Sequence, residues 1–153
     1  MPLNIVLVEP EIPNNTGNIG RLSLAAGCHL HLVKPLGFSL DDSRVKRSGL
    51  DYWKHVSLHI YENMDAFMKQ HNDKEMVFLS SHGKLPHWEI PFTEDLFFIF
   101  GKESVGLPLE LIKTQSERVY KIPIQNKHIR SLNLANAVSI VVYEGKRQLQ
   151  LKS

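Results

Sequence analysis

Three short stretches combine residue types that could do chemistry. The first, PNNTGNIGR at residues 13–21, follows an apolar run, LNIVLV, and places amides, a hydroxyl and Arg21 at what reads as a strand-to-helix turn. Asn15 or Thr16 can cap that helix, and the free amides at its start could hold a carboxylate or phosphate. The second, FGKESVGLP at residues 100–108, follows another apolar run. Gly101 there lets a ligand approach the backbone, and Glu103 sets a carboxylate beside it. The third, IPIQNKHIRSLNLAN at residues 122–136, carries Ser131, Asn133 and Asn136 at the start of a helix of Leu, Ala, Val and Ile. Ser131 can cap that helix, the two asparagines read as buried amides in need of partners, and Tyr143 falls near their stripe. Alternatively the asparagines fix register at a subunit interface.

Familiar nucleotide motifs do not account for these stretches. Gly17 and Gly20 supply only part of a G-x-G-x-x-G fingerprint, and Leu107-Pro108 stand where a phosphate-binding P-loop needs Lys and Ser/Thr.

The elements that would position them alternate. LNIVLV, HLHLVKP, SLHIYE, MVFLSS, DLFFIFG and RVYKIPI read as strands, with helices near 16–26, 63–70, 109–114 and 132–149. That alternation predicts an α/β fold with a parallel sheet covered on both faces, and ligands then bind beyond the carboxyl ends of strands. The 153 residues, 42% hydrophobic, suit a single domain over 1–153. One cysteine, Cys28, and no leader-like or membrane-length apolar run predict a cytoplasmic protein.

Taken in order, the three stretches resemble the signature motifs of the SPOUT methyltransferases, in the SpoU branch that methylates ribose 2′-hydroxyls of RNA. The carriers are 15–21 (NTGNIGR), 100–104 with Gly106-Leu107 (FGKES, GL), and 122–124 with 130–136 (IPI, RSLNLAN). EPEIPNNTGN, KPLGF and RSGLDYW are similar to the minimal, single-domain TrmL-type members that modify the wobble nucleotide, position 34, of certain leucine tRNAs. Gly20 occupies a variable motif place and carries no functional expectation.

The resemblance implies a deep C-terminal trefoil knot, a homodimer, and S-adenosylmethionine bound among the knot loops by Leu79, Gly101, Ile122, Ser131 and Leu132. It implies transfer of the methyl group to the 2′-oxygen of a cytidine or modified uridine in the anticodon stem-loop. Arg21, Ser131, Asn133 and Glu103 are the implied catalytic residues. Arg21 is often assigned as the base in this family, but a guanidinium, which holds its charge at neutral pH, suits a phosphate grip and stabilisation of the developing alkoxide better.

The net charge of +2 does not by itself announce RNA binding, so a local patch must serve. Arg44, Lys46, Arg47, Lys54 and His55 lie beside Tyr52 and Trp53, and Lys127, His128 and Arg130 form a second cluster; Arg21 and Tyr143 complete the expected RNA contacts. Tyr52 and Trp53 read first as packing groups. The eight histidines include no H-E-x-x-H, and His29-x-His31 lacks a matching ligand set, so no metal is expected. Val138, Ile140, Val141, Val142 and Leu149 spread around the last helix and predict that part of it faces a twin subunit. Other readings are a SpoU-type enzyme for another tRNA or rRNA position and a non-catalytic RNA-binding scaffold.

Overall fold

The computed structural model describes residues 2–152; the first and last residues of the expected 1–153 domain lie outside them. Apolar runs with two buried faces become parallel strands, because only a covered sheet can use them. In chain order the elements are β1 (Asn4–Val8), α1 (Pro13–Ala26), β2 (His29–Val33), α2 (Ser43–Gly49), a 3-10 segment (Leu50–His55), β3 (Leu58–Tyr61), α3 (Met64–Gln70), β4 (Met76–Leu79), β5 (Leu85–Pro86), β6 (Phe97–Phe100), α4 (Leu109–Thr114), β7 (Val119–Lys121) and α5 (Leu134–Lys152). The sheet runs β3-β2-β1-β6-β4-β7-β5, every pair parallel.

The six expected strands all form; the two-residue edge strand β5 is additional, and its proline stands where an edge strand tolerates one. On one face Ile5, Leu7, Leu30, Leu32, Leu79 and Phe98 pack against Ile19 of α1 and Val138, Val141 and Val142 of α5. On the other, Val6, Val33, Phe78, Phe97 and Ile99 pack with Phe67 of α3 and Leu107, flanked by Leu111 and Ile112 of α4. Val138, Val141 and Val142 are therefore fully buried within the subunit, and Leu149 packs on the same core. The excess apolar surface expected on the last helix reduces to the exposed Ile140, Tyr143 and Leu151.

Two helices early in the chain differ from expectation. α1 begins at Pro13, whose missing N–H is no loss in a first turn, and its N-cap residue, Ile12, has no capping side chain. α2 was not expected at all: in residues 43–49 only Val45 is buried among the residues whose side chains are described, so no 3.6-residue apolar stripe marks it. Its start is held by Asp42, whose Oδ1 accepts from the Arg44 backbone N–H at 2.8 Å.

Candidate active site

All strands being parallel, their carboxyl ends share one edge, and the loops leaving β1, β4, β6 and β7 converge there. With the segment entering α5 they enclose a cavity of about 550 Å³, within the range of ligand pockets. Leu79, Gly101, Ile122, Ser131 and Leu132 all line it, as do Glu103, Arg130 and Asn133. Phe100, Ile124 and Leu134 add apolar wall, and Ser80, Ser81 and His82 add polar groups absent from the expected set.

Gly101 acts differently from expectation. A Cβ placed there would lie 2.1 Å from the Gly106 carbonyl carbon and 2.2 Å from the Leu107 nitrogen, so the close approach is made by the protein's own loop. That loop closes through a bridge between Lys102 and Gly106.

Glu103 in this loop binds the two backbone amides that lead into α1. Its carboxylate accepts from the backbone N–H groups of Glu11 (2.8 Å) and Ile12 (2.9 Å) and from Asn15 Nδ2 (3.3 Å). Glu11 reciprocates: its Oε1 accepts from the Ser104 N–H at 2.8 Å, and this bond holds its carboxyl below the usual carboxylate range. Lys102 Nζ reaches Glu9 Oε1 at 3.1 Å. The loops after β1 and β6 are thus clasped by several polar ties.

The orientation of the asparagines follows from donor chemistry. A carboxylate only accepts, so Asn15 must present its NH₂ to Glu103 and its oxygen to Asn133, whose Nδ2 donates to it at 3.1 Å. Asn133 then turns its own oxygen to the N–H groups of Ala135 (2.9 Å) and Asn136 (3.3 Å), capping α5. Asn133, rather than Ser131, is therefore the cap. It precedes the helix and, like Asn136, is exposed rather than buried in an apolar stripe. The chain Glu103–Asn15–Asn133 joins all three motif stretches, and Asn15 is its centre; its place in the first motif was the available signal.

Arg21 does not line the cavity, nor do Arg44, Lys46, Arg47 or Tyr143. It lies on the exposed side of α1 with its guanidinium 5.4 Å from the Tyr52 ring centroid. Gly20 has a reason to be glycine: a Cβ there would meet the Trp53 ring at 2.5 and 2.7 Å. Trp53 is therefore a packing group, and Tyr52 is exposed beside Arg21. Arg44 is tied to Asp42 by Nε (3.1 Å) and a terminal nitrogen (2.9 Å), which reduces its freedom to grip a phosphate. Lys46, Arg47, Lys54, His55, Lys127, His128, Arg130 and Tyr143 are exposed. Among the described residues no group of three or more His, Cys, Asp or Glu is arranged to hold a metal ion, and no helix is long and apolar enough to cross a membrane.

Residues 2–143 match the family described as the SpoU rRNA Methylase family. The chain is 47% identical to the tRNA (cytidine(34)-2′-O)-methyltransferase of Saccharophagus degradans over 95% of each protein. It is 44% identical to the protein of the same name from Aeromonas hydrophila, over 96% of this chain and 94% of that one. Among solved structures, one concerned with 2-OH methylation of C/U34 on tRNA superposes with a TM-score of 0.92 at 43% identity, over 97% and 96% of the two chains. The AdoMet-bound rRNA methyltransferase of Sinorhizobium meliloti shares the fold, with a TM-score of 0.86 at 24% identity, over 97% of this chain and 57% of that one. On its sequence and its fold together, the chain belongs to the SpoU methylase family.

Proposed function

We propose that the protein is an S-adenosylmethionine-dependent tRNA 2′-O-methyltransferase. Its target is the ribose of the wobble nucleotide, position 34, a cytidine or modified uridine of leucine tRNAs in the cytoplasm. The carrying observation is the cavity itself: five residues expected to hold the cofactor line one space, braced by the Glu103–Asn15–Asn133 chain.

The lining fits the group. Leu79, Ile122, Leu132 and Leu134 offer apolar walls for an adenine ring, while Ser80, Ser131 and loop backbone offer partners for its polar edges and hydroxyls. Bound S-adenosylmethionine would supply a methyl group made electrophilic by a positively charged sulfur. The chain must then orient a poor nucleophile and find a place for its proton.

Arg21 donates to the phosphate beside the target ribose and to the oxygen on which charge develops; a phosphate oxygen or water takes the proton. Glu103 is not the base, because its oxygens already accept from three donors, and it serves by holding the loops. Ser131 presents an exposed hydroxyl at the cavity and positions the ribose, with Asn133 fixing the turn that carries it. Lys46, Arg47 and Arg130 contribute phosphate contacts.

Because Arg21 lies outside the cavity lining of its own subunit, it acts in the site of a two-fold partner, with Ile140 and Tyr143 near the seam. The family's trefoil knot, formed by threading the C-terminal segment through a loop, belongs to the same proposal.

The test is transfer of a tritiated methyl group to bulk tRNA, followed by mapping of the modified nucleotide. Label on the 2′-oxygen of nucleotide 34 in leucine tRNAs is expected. Label at another position favours a different SpoU-type target. Cofactor binding without any transfer would leave an RNA-binding scaffold. Mixed Arg21→Ala and Gly101→Val subunits should recover part of the activity when co-purified as heterodimers, and no recovery in a folded heterodimer counts against the shared site.

A further inference from the structure

Two successive residues of α1 meet two successive residues of the 3-10 segment. Gly20 leaves the space that the half-buried Trp53 ring occupies, and the Val56 N–H closes the following turn on the Trp53 carbonyl at 3.1 Å. With Trp53 seated there, its neighbour Tyr52 is carried to Arg21, the guanidinium standing 5.4 Å from the ring centroid, inside the range of a cation–π contact. An exposed arginine on a helix otherwise samples many rotamers, so a ring face fixed to the same scaffold narrows where its charge can be.

We propose that Tyr52 is a positioning residue for Arg21. Trp53 is the anchor, Gly20 the socket, and the Tyr52 ring the surface against which the guanidinium is held before RNA arrives. The proposal rests on Arg21 being the cation that faces ribose and phosphate. The ring face carries the contact, so the phenolic hydroxyl is dispensable.

That division of roles sets the experiment. The probes are full-length Tyr52→Phe, Tyr52→Leu, Arg21→Ala and the Arg21→Ala/Tyr52→Leu double variant. Each is assayed for kcat and KM with tRNA and for Kd with S-adenosylmethionine.

Tyr52→Phe keeps the ring and should stay within about twofold of the parent, whereas Tyr52→Leu keeps bulk without the ring face and should lower kcat/KM roughly two- to fivefold. Cofactor affinity should be unchanged in both, which also checks folding. Tyr52 is 47% exposed, so leucine there leaves the core intact; Tyr52→Gln repeats the test with a polar side chain. In the Arg21→Ala background Tyr52→Leu should add nothing, because the group it positions is gone.

An unchanged Tyr52→Leu overturns the proposal. So does an equal loss in Tyr52→Phe, or a Tyr52→Leu effect of the same size without Arg21, since either assigns the tyrosine a contact of its own. If Arg21→Ala itself leaves methyl transfer intact, the reading of Arg21 fails first.

Discussion

Two asparagine-centred networks occupy opposite ends of the sheet. At the carboxyl ends Asn15 joins Glu103 to Asn133. At the amino end Asn4 does something formally similar: its Nδ2 donates to the Asp95 carbonyl and carboxylate, both at 3.1 Å, and its oxygen accepts from His31 Nε2 at 2.9 Å. Donor logic continues outward, with His31 Nδ1 accepting from the Tyr61 hydroxyl at 2.7 Å and that oxygen accepting from His71 Nε2 at 2.9 Å. His59 stacks on the His31 ring, and His29 meets both rings edge-on. The amino-end network thus gathers four imidazoles, His29, His31, His59 and His71, of the side-chain type best suited to proton transfer, yet it closes on itself. The carboxyl-end network is tied by amides and a carboxylate and closes around a cavity, on whose wall His82 stands. Which end acts is decided by the space the network encloses, more than by how reactive its members are.

The sharpest way to break the comparison is to remove that space. Gly101→Val would drive a branched side chain into the backbone of Gly106 and Leu107, so the loop carrying Glu103 cannot close. S-adenosylmethionine binding should fall by at least about a hundredfold, measured by calorimetry. The His31 network at the far end should remain, reported by the imidazole NMR signals. Normal cofactor affinity would remove the cavity from the cofactor's path.

Smaller in effect, and more discriminating, is a matched pair. Asn15→Ala takes an acceptor from the Asn133 amide and a donor from Glu103, while Asn4→Ala strands His31 Nε2 and takes a donor from Asp95, which keeps Lys74 at 3.7 Å. Each removes one partner from part-buried groups, at about 1–3 kcal/mol. In Asn15→Ala this should appear as about tenfold to a hundredfold weaker cofactor binding. In Asn4→Ala it should appear as a lower urea midpoint with cofactor Kd unchanged. Equal effects of both variants on Kd would mean that the two ends are coupled through β1.

The pair also marks how far the sequence could be read. LNIVLV and DLFFIFG announce buried parallel strands by apolar content alone, and the family likeness of NTGNIGR, FGKES and RSLNLAN supplied residues that line one cavity. Long-range partners were illegible: Glu103 binding the Ile12 amide ahead of α1 across 91 residues, or Asn133 reaching Asn15 across 118, leaves no local pattern. The same limit hid Trp53 behind Gly20, and it hid α2, whose short span carries too few buried residues to show a period. The insertion of β6 between β1 and β4 is a further non-local choice, made by packing rather than by strand propensity.

The histidine end should reveal itself through pH. Burial, then the neighbouring charges of His59, His71 and His29, lowers the His31 pKa from 6.5 to about 3. The folded protein therefore refuses a proton that the unfolded chain accepts. Stability from this group is fully present above about 6.5 and is lost as pH falls through the window down to about 3. The slope is about 1.4 kcal/mol per pH unit. His71, lowered by burial and by Lys74 against the opposing Asp73 and Asp95, adds in the same sense. Urea midpoints between pH 6.5 and 5 should fall in the parent and fall less steeply in His31→Leu, which is less stable throughout. A parallel slope in the variant would exclude His31 as the source. Cofactor affinity at pH 7.5 should be the same for both proteins.

The smallest expected effect separates two ion pairs that share the carboxyl edge. Lys34 follows β2 and meets Glu62 after β3 at 3.5 Å, with side chains 43% and 81% exposed. Lys102 meets Glu9 at 3.1 Å with both side chains 31% exposed, inside the clasp that walls the cavity. An exposed pair in high dielectric gains little after side-chain ordering and salt screening, so Lys34→Ala should change stability by no more than about 0.5 kcal/mol. It should leave cofactor Kd untouched. Lys102→Ala removes one tie among several, because the bonds from Glu103 and Glu11 still hold the loops together. Its Kd should rise only about two- to fivefold, and less in high salt. Equal Kd values for the two variants would mean that the clasp does not depend on its ion pair, and would leave the pocket wall to the carboxylate–amide and amide–amide bonds and the Lys102–Gly106 bridge.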